Sequence, residues 1–350
     1  MTPRSVAIQG ALAFVALILA YTTWQRGPEL VAGETFILDV TKNDLEKVRF
    51  EDQEGKGSWS ELAKGKDNDG TYVTVRMSGY DNTGVGLPSG HPGIPLKLPE
   101  RLVRGNDSAQ RLFDRFSPMR AQRALGVLDP AMSKDLGLDT TKKFLEVTAR
   151  GIKRRFAIVP APPGGSDPYV RDLQDNKVYI VNRQILTDMQ AASTNLLERK
   201  LHNFKVEDMD KMVVIAGDKR REFAASRNDE FPGIRLAPAE TPDKPDPTLK
   251  NWHDRVFSLF PTEVLGKDEV PKSGPPVLAI RVEYLARGRL LGFADLARGA
   301  TAATSAPPSA DGKTPPAEVY VRSEYTLGWF RVAPESASLL TEAEGFLSKK

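Results

Sequence analysis

Hydrophobic and polar positions change period several times along this chain, and each change marks an element. From Val6 to Trp24 (VAIQGALAFVALILAYTTW) no side chain carries a charge, and Arg4 and Arg26 stand outside the run. As a helix rising about 1.5 Å per residue, the run is roughly 28 Å long, close to the thickness of a bilayer's hydrocarbon core. Beyond it, runs of apolar and β-branched residues predict strands over 35–40, 45–51 and 72–77. Leu112, Phe113, Phe116 and Met119 are spaced for one helix face, as are Leu249, Trp252, Val256, Phe257 and Phe260. Asp246-Pro247 supplies the second helix with a cap and a first-turn proline. Strands over 144–149 and 155–159 flank Arg150-Gly151, and strands over 277–285 and 290–296 flank Arg287-Gly288, each pair reading as a hairpin. Further strands fall at 169–172, 177–181, 319–323 and 329–332. Closing helices carry Leu186, Met189 and Leu196 in one place and Leu339, Leu340, Ala343, Phe346 and Leu347 in the other.

The elements recur in the same order because the sequence repeats. Asp114-Arg115 and Leu125-Gly126 match Asp254-Arg255 and Leu265-Gly266 with identical internal spacing. Ala149-Arg150-Gly151 with Phe156-Ala157 matches Ala286-Arg287-Gly288 with Phe293-Ala294, and Tyr169-Val170-Arg171 returns as Tyr320-Val321-Arg322. The unit is roughly 100 residues, the size of a small domain. The predicted class is α+β: two similar modules of antiparallel sheet with helices packed on one face, preceded by one transmembrane helix. The predicted organisation is a cytoplasmic end at 1–5, an anchor at 6–24, a strand-rich region at 34–105, a first module at 106–225, a Pro-rich linker at 226–245 and a second module at 246–350. The 34–105 region reads as an incomplete module. Residues 80–99 and 300–316 are Gly/Pro-rich or low in bulky apolar residues and read as irregular.

The anchor carries a prediction about place. Arg4 and the amino terminus precede the apolar run, while Arg26 is soon offset by Glu29, so the N-terminus faces the cytoplasm and the body lies outside. Tyr21 and Trp24 sit where amphipathic rings settle at the headgroup level. A cleaved secretory signal, cut after Ile18-Leu19-Ala20, is the competing reading, and it also exports the body. There is no cysteine for disulfides, lipid attachment or thiolate ligands.

Leu136-Gly137-Leu138-Asp139 leads into Phe144-Leu145-Glu146-Val147. Tyr169-Val170, Val178-Tyr179-Ile180-Val181 and residues 196–200 follow, running on to Phe204 and Asp208. With the pieces in this order, residues 107–223 resemble the bacterial domain-of-unknown-function family 4340. The resemblance implies a single-pass protein of the bacterial inner membrane, encoded near permease and gliding-type subunits of ABC exporters, whose body works in the periplasm. It implies no catalytic residue, because the family has none established.

Charge and chemistry narrow the picture. Lys and Arg total 49 against 46 Asp and Glu, a net charge of +3, which argues against nucleic acid as a partner. Arg101, Arg104, Arg111, Arg115, Arg120 and Arg123 are the nearest thing to a basic face; they read as a solvated helix face, or as contacts for acidic headgroups or an acidic partner. His91, His202 and His253 lie far apart, without the spacing of about three to five residues that zinc ligands favour. Asp67-Asn68-Asp69-Gly70 mimics a calcium loop, but Gly65 and Arg76 would occupy its first and last ligand positions, so it reads as a hairpin turn. Gly84-Val85-Gly86 lacks dinucleotide spacing, and Ser89 with His91 lacks a nucleophile elbow. The carboxylate pairs Asp208 with Asp210 and Asp243 with Asp246 lie in polar segments, without the burial that tunes a catalytic acid.

The expectation is therefore a non-catalytic accessory or scaffold protein, with no cofactor and no metal, held to lipid by residues 6–24 and partnered by an integral membrane protein such as an ABC permease. Tyr169, Tyr179, Tyr320 and Trp329 are its candidate partner contacts at sheet edges, unless they simply fill the core. An exported peptidoglycan- or polysaccharide-binding protein, or an exported hydrolase, remains open as an alternative.

Overall fold

The computed structural model describes residues 13–18, 21, 33–54, 57–67, 70–81, 96–160, 167–227, 233–271, 273–300 and 318–348. The chain first lays down β1 (Thr35–Leu38), β2 (Leu45–Asp52), β3 (Ser58–Asp67), β4 (Gly70–Asp81) and β5 (Leu96–Arg104). Next come α1 (Asp107–Asp114), β6 (Met119–Ala121), β7 (Arg123–Val127) and α2 (Pro130–Asp135). They are followed by β8 (Lys143–Ala149), β9 (Ile152–Val159), β10 (Tyr169–Asp172), β11 (Lys177–Ile180), α3 (Arg183–Gln190) and α4 (Ala192–Asn195). The rest consists of β12 (Lys211–Ala216), β13 (Lys219–Arg227), β14 (Ile234–Pro238), α5 (Pro247–Phe257), β15 (Pro261–Val264), β16 (Val277–Ala286), β17 (Arg289–Arg298), β18 (Val319–Ser323), β19 (Phe330–Val332) and α6 (Ala337–Ser348).

The architecture is α+β and mostly antiparallel sheet. A nine-stranded sheet runs β5-β4-β3-β2-β8-β9-β10-β11-β7, and an eight-stranded sheet runs β14-β13-β12-β16-β17-β18-β19-β15. Apart from β5 the orders correspond strand for strand. Register corresponds too: Tyr179 faces Ala124 and Ile180 faces Arg123 in the first sheet, where Phe330 faces Val264 and Arg331 faces Glu263 in the second. A small ribbon of β1 and β6 completes the strands.

Local chemistry explains the shared pieces. The β8-β9 and β16-β17 hairpins close on two-residue turns, Arg150-Gly151 with φ of 51° and 72° and Arg287-Gly288 with φ of 51° and 77°. Positive φ at both positions gives a turn whose twist matches that of the strands it joins. Asn106, Asp129 and Asp246 each cap a helix through side-chain oxygens, and Pro130 and Pro247 begin two of them. Trp252 on α5 is fully buried, and its indole nitrogen donates to the Leu339 carbonyl of α6 at 2.9 Å. One core cluster runs through both sheets, including Leu62, Val75 and Phe156 from the first, Met212 and Tyr284 from the second, and Trp252 of α5.

Several expectations shift. The stretch 226–245, read as a linker, carries β14, whose Ile234 and Leu236 point inward between polar neighbours. Strands β12 and β13, read as the end of the first module, belong to the second sheet, and β2 to β5 share one sheet with β8 to β11. The passage from one sheet to the other lies between Ile180 and Lys211. Helix α1 ends at Asp114, before Phe116 and Met119, which are nevertheless buried around the Ser117-Pro118 bend. Among the described residues no helix is long and apolar enough to cross a membrane; of the expected anchor 6–24 only 13–18 and Tyr21 are described. Of the stretches 80–99 and 300–316, read as irregular, 80–81 and 96–99 belong to strands β4 and β5, and 82–95 and 301–316 lie outside the described residues.

Replacing Trp252 with alanine removes a buried ring and an indole hydrogen bond at once. The expected loss is about 3–5 kcal/mol of unfolding free energy, read as a lower urea midpoint with unchanged slope.

Candidate functional site: the junction of the two sheets

Strand β5 ends the nine-stranded sheet, and its outer side meets the second sheet. The Lys267 N–H donates to the Leu102 carbonyl at 2.7 Å. Arg101 sends its guanidinium to Glu263 at 2.7 Å and to Glu269 at 2.9 Å. Burial opposes the charge on Arg101, yet the two carboxylates outweigh it and hold its pKa above the ordinary arginine value. Gly266 lies flat on this strand: a Cβ there would stand 3.0 Å from the Arg101 Cα and 3.1 Å from the Leu102 nitrogen. The close approach of the two backbones therefore favours glycine, since any Cβ would push them a few tenths of an ångström apart.

Arg104, three residues further along β5, is sandwiched between rings from both sides of the junction. Its guanidinium carbon is 3.9 Å from the Tyr72 centroid and 4.0 Å from that of Tyr325, and Nη1 meets Asp67 at 2.7 Å. Two π faces and one carboxylate leave this cation almost no contact with water.

The connector between the sheets supplies a third contact. His202 places Nδ1 3.0 Å from Glu324, whose other oxygen accepts from the Phe293 N–H at 2.7 Å. Phe257 stacks on the imidazole at 4.7 Å, Phe204 lies at 5.0 Å and Tyr284 meets it edge-on at 5.1 Å. Ser323 Oγ donates to the Leu201 carbonyl beside them. His253 is fully buried in the same cluster, and burial lowers its pKa below the usual histidine value; burial likewise raises that of the Tyr284 hydroxyl. His202 Nε2, His253 Nε2 and the Tyr284 hydroxyl have no hydrogen-bond partner among the described residues. A histidine oriented by a carboxylate serves as a base only where a reacting atom reaches its far nitrogen. Here that nitrogen is shut from solvent.

Two clefts flank the junction. One, of about 350 Å³, lies under α3 and α4 and is bounded by Phe50, Trp59, Met77, Arg101 and Met189. The other, of about 720 Å³, is bounded by Arg111, Arg199, Lys200, His202, Phe257 and Phe260. Among the described residues no group of three or more His, Asp or Glu side chains comes together that could hold a metal ion.

The four aromatic candidates do not converge. Tyr169 and Tyr179 are on adjacent strands of the first sheet, Tyr179 inside the main core. Tyr320 is 2% exposed in a satellite cluster with Leu265 and Ala297, and its hydroxyl donates to Glu318 at 2.7 Å. Trp329 packs on that cluster with the Arg322 guanidinium 4.5 Å above its ring, while Arg322 and Arg281 together hold the fully buried Asp295. Tyr179 and Tyr320 therefore fill cores, and Tyr169 and Trp329 are half-buried.

The run from Arg101 to Arg123, read as a solvated helix face or as contacts for acidic headgroups or an acidic partner, is spread over β5, α1 and its C-cap, β6 and β7, and its first two members are the bolts of the junction. Sequence reasoning gave Glu263, Glu269, Tyr72, Tyr325 and Glu324 no role; they lie far along the chain from their partners and follow no local spacing. Comparison of the chain with protein-family models, with curated proteins and with solved structures finds no match in any of the three.

Two outcomes follow from this geometry. Arg101→Ala leaves Glu269 without its cation and Glu263 with Arg331 alone, and is expected to lower stability by about 1–3 kcal/mol in urea unfolding, discounted for partial exposure. Acidification tests His253. The unfolded chain takes up its proton at the ordinary pKa near about 6.5, whereas the buried ring resists. Stability from this group is therefore present above that pH and lost as pH falls through it, by up to about 1.4 kcal/mol per pH unit. The His253→Asn variant should lack that share of the slope between pH 7.5 and pH 5.

Proposed function

We propose that this chain is a membrane-anchored extracytoplasmic accessory or scaffold protein of an ABC-type exporter or cell-envelope complex. Residues 6–24 tether it to the bacterial inner membrane, and the body faces the periplasm beside an integral membrane partner such as an ABC permease. Its work is to bind and position rather than to catalyse. The observation that carries the reading is the pairing of an uncharged 19-residue run at 6–24 with a large polar body. The family resemblance of residues 107–223 points the same way. The junction adds a physical reason: Arg101, Arg104 and Glu324 join two sheets into one extended frame, the form useful for holding partners at a fixed separation.

Fractionation tests the tether. The full-length chain is expected to sediment with membranes, to stay there in high salt and carbonate, and to be released by detergent. A chain lacking residues 1–32 is expected in the soluble fraction. Recovery of the full-length chain as a soluble protein overturns the reading, and sedimentation of the body with purified cell wall favours the polysaccharide-binding alternative.

A further inference from the structure

The second sheet ends in β15, and the first sheet ends at the corresponding place in β7. Leu125-Gly126 matches Leu265-Gly266, and the pairing onto β11 and onto β19 has the same register at Arg123 and Ala124 as at Glu263 and Val264, although the bulges fall at Leu125 in one and at Thr262 in the other. The two strands meet different fates. Beyond β15, Gly266 and Lys267 are laid against β5, with a backbone hydrogen bond to Leu102 and Arg101 clasped by Glu263 and Glu269. Nothing among the described residues pairs with the outer side of β7.

Sheet edges left open are usually blunted. The β14 edge is: Pro238 removes one donor, and the Asp246 N–H bonds to the Leu236 carbonyl at 2.8 Å. β7 has neither a proline nor a backbone bond of that kind on its outer side among the described residues; its one irregularity is a bulge at Leu125 in its pairing with β11. All five of its residues are at least partly exposed, Val127 is 66% exposed, and Met132 on the following helix is 50% exposed. Arg123 occupies the place of Glu263 and has no ion-pair partner among the described residues. Ile180 stands opposite it, where Arg331 answers Glu263 at 3.1 Å. Asp129, the counterpart of Glu269, is committed to capping α2.

We infer that the outer edge of β7 is a docking edge for an extended segment of another protein, which adds as a strand and sets a carboxylate against Arg123 and an apolar side chain against Val127 and Met132. The internal junction is the precedent for the backbone geometry, and the exchange of Glu263 for Arg123 reverses the charge required of the incoming strand. A second copy of this chain is a poor occupant, since its β5 is covered by its own Gly266 and Lys267 and carries arginine at the critical position. Main-chain pairing gives such additions their affinity, and the facing side chains give the choice of partner. The inference extends the scaffold reading but does not depend on where the chain resides.

The test uses the full chain in detergent with two synthetic peptides, the β5 sequence of residues 96–104 and its R101E form. The R101E peptide is expected to slow amide hydrogen exchange across residues 123–127 and to bind about tenfold more tightly than the unaltered peptide. In the Arg123→Glu variant, a surface change that leaves the fold intact, the preference should reverse. The inference is overturned by protection at β14 or elsewhere instead of β7, by a preference that ignores the charge at position 123, or by no binding of either peptide. It is overturned equally if residues 123–127 are already fully protected in the free chain, because its own residues then fill the edge. None of these results bears on whether the chain sediments with membranes.

Discussion

The backbone groups on the outer side of a sheet's last strand need partners, and at β5 the Leu102 carbonyl finds one beside the second sheet and the Arg104 carbonyl finds one in the connector, at Glu198. That constraint organises the molecule. The Lys267 N–H reaches Leu102, Gly266 permits the approach by having no side chain, and Arg101 locks the contact between Glu263 and Glu269. Arg104 between Tyr72 and Tyr325, and His202 against Glu324, repeat the same solution nearby with stacked rings and buried charge. Two sheets of the same strand order thus share one core and one junction.

The junction also explains why the two halves are alike in order and unlike in detail. Among the described residues β5 has no counterpart beyond β14, and Glu263 of one half is Arg123 of the other. Identical halves would present identical edges, and such edges invite open-ended association. An edge used inside the chain and a corresponding edge of opposite charge are no longer interchangeable, so the contact between β5 and β15 can form once and stop.

Much of the fold was legible because its signals are local. The strands at 169–172 and 319–323 stand where alternation places them, and the hairpins close at Arg150-Gly151 and Arg287-Gly288 because only a few residue pairs accept positive φ together. The Asp246 cap and Pro247 announced α5. What escaped was set by distance along the chain. β3 carries Glu61, Lys64, Lys66 and Asp67 and shows no clean alternation, so within the strand-rich region it predicts no strand of its own, yet pairing with β2 and β4 makes it one. β14 is a five-residue strand set among prolines and charges and reads as linker. The site was less legible still. Tyr179 and Tyr320 look like contact aromatics but fill cores, while Arg101 and Arg104 look like surface charge but are half-buried or buried; Glu263, Glu269 and Tyr325 lie roughly 160 to 220 residues from them, Tyr72 and Asp67 more than 30, and no spacing rule connects them.

The central claim is that the Arg101 and Gly266 contact holds the two sheets in one fixed relation. Because the chain has no cysteine, single labels can be placed cleanly at Lys153→Cys on β9 and Lys219→Cys on β13, both exposed, and the distance between them read by electron double resonance. The account predicts one narrow distance distribution for the otherwise native chain, broadened when Arg101→Ala and Gly266→Val are introduced together. A broad distribution in the native background, or a narrow one that the two substitutions leave unchanged, would contradict it.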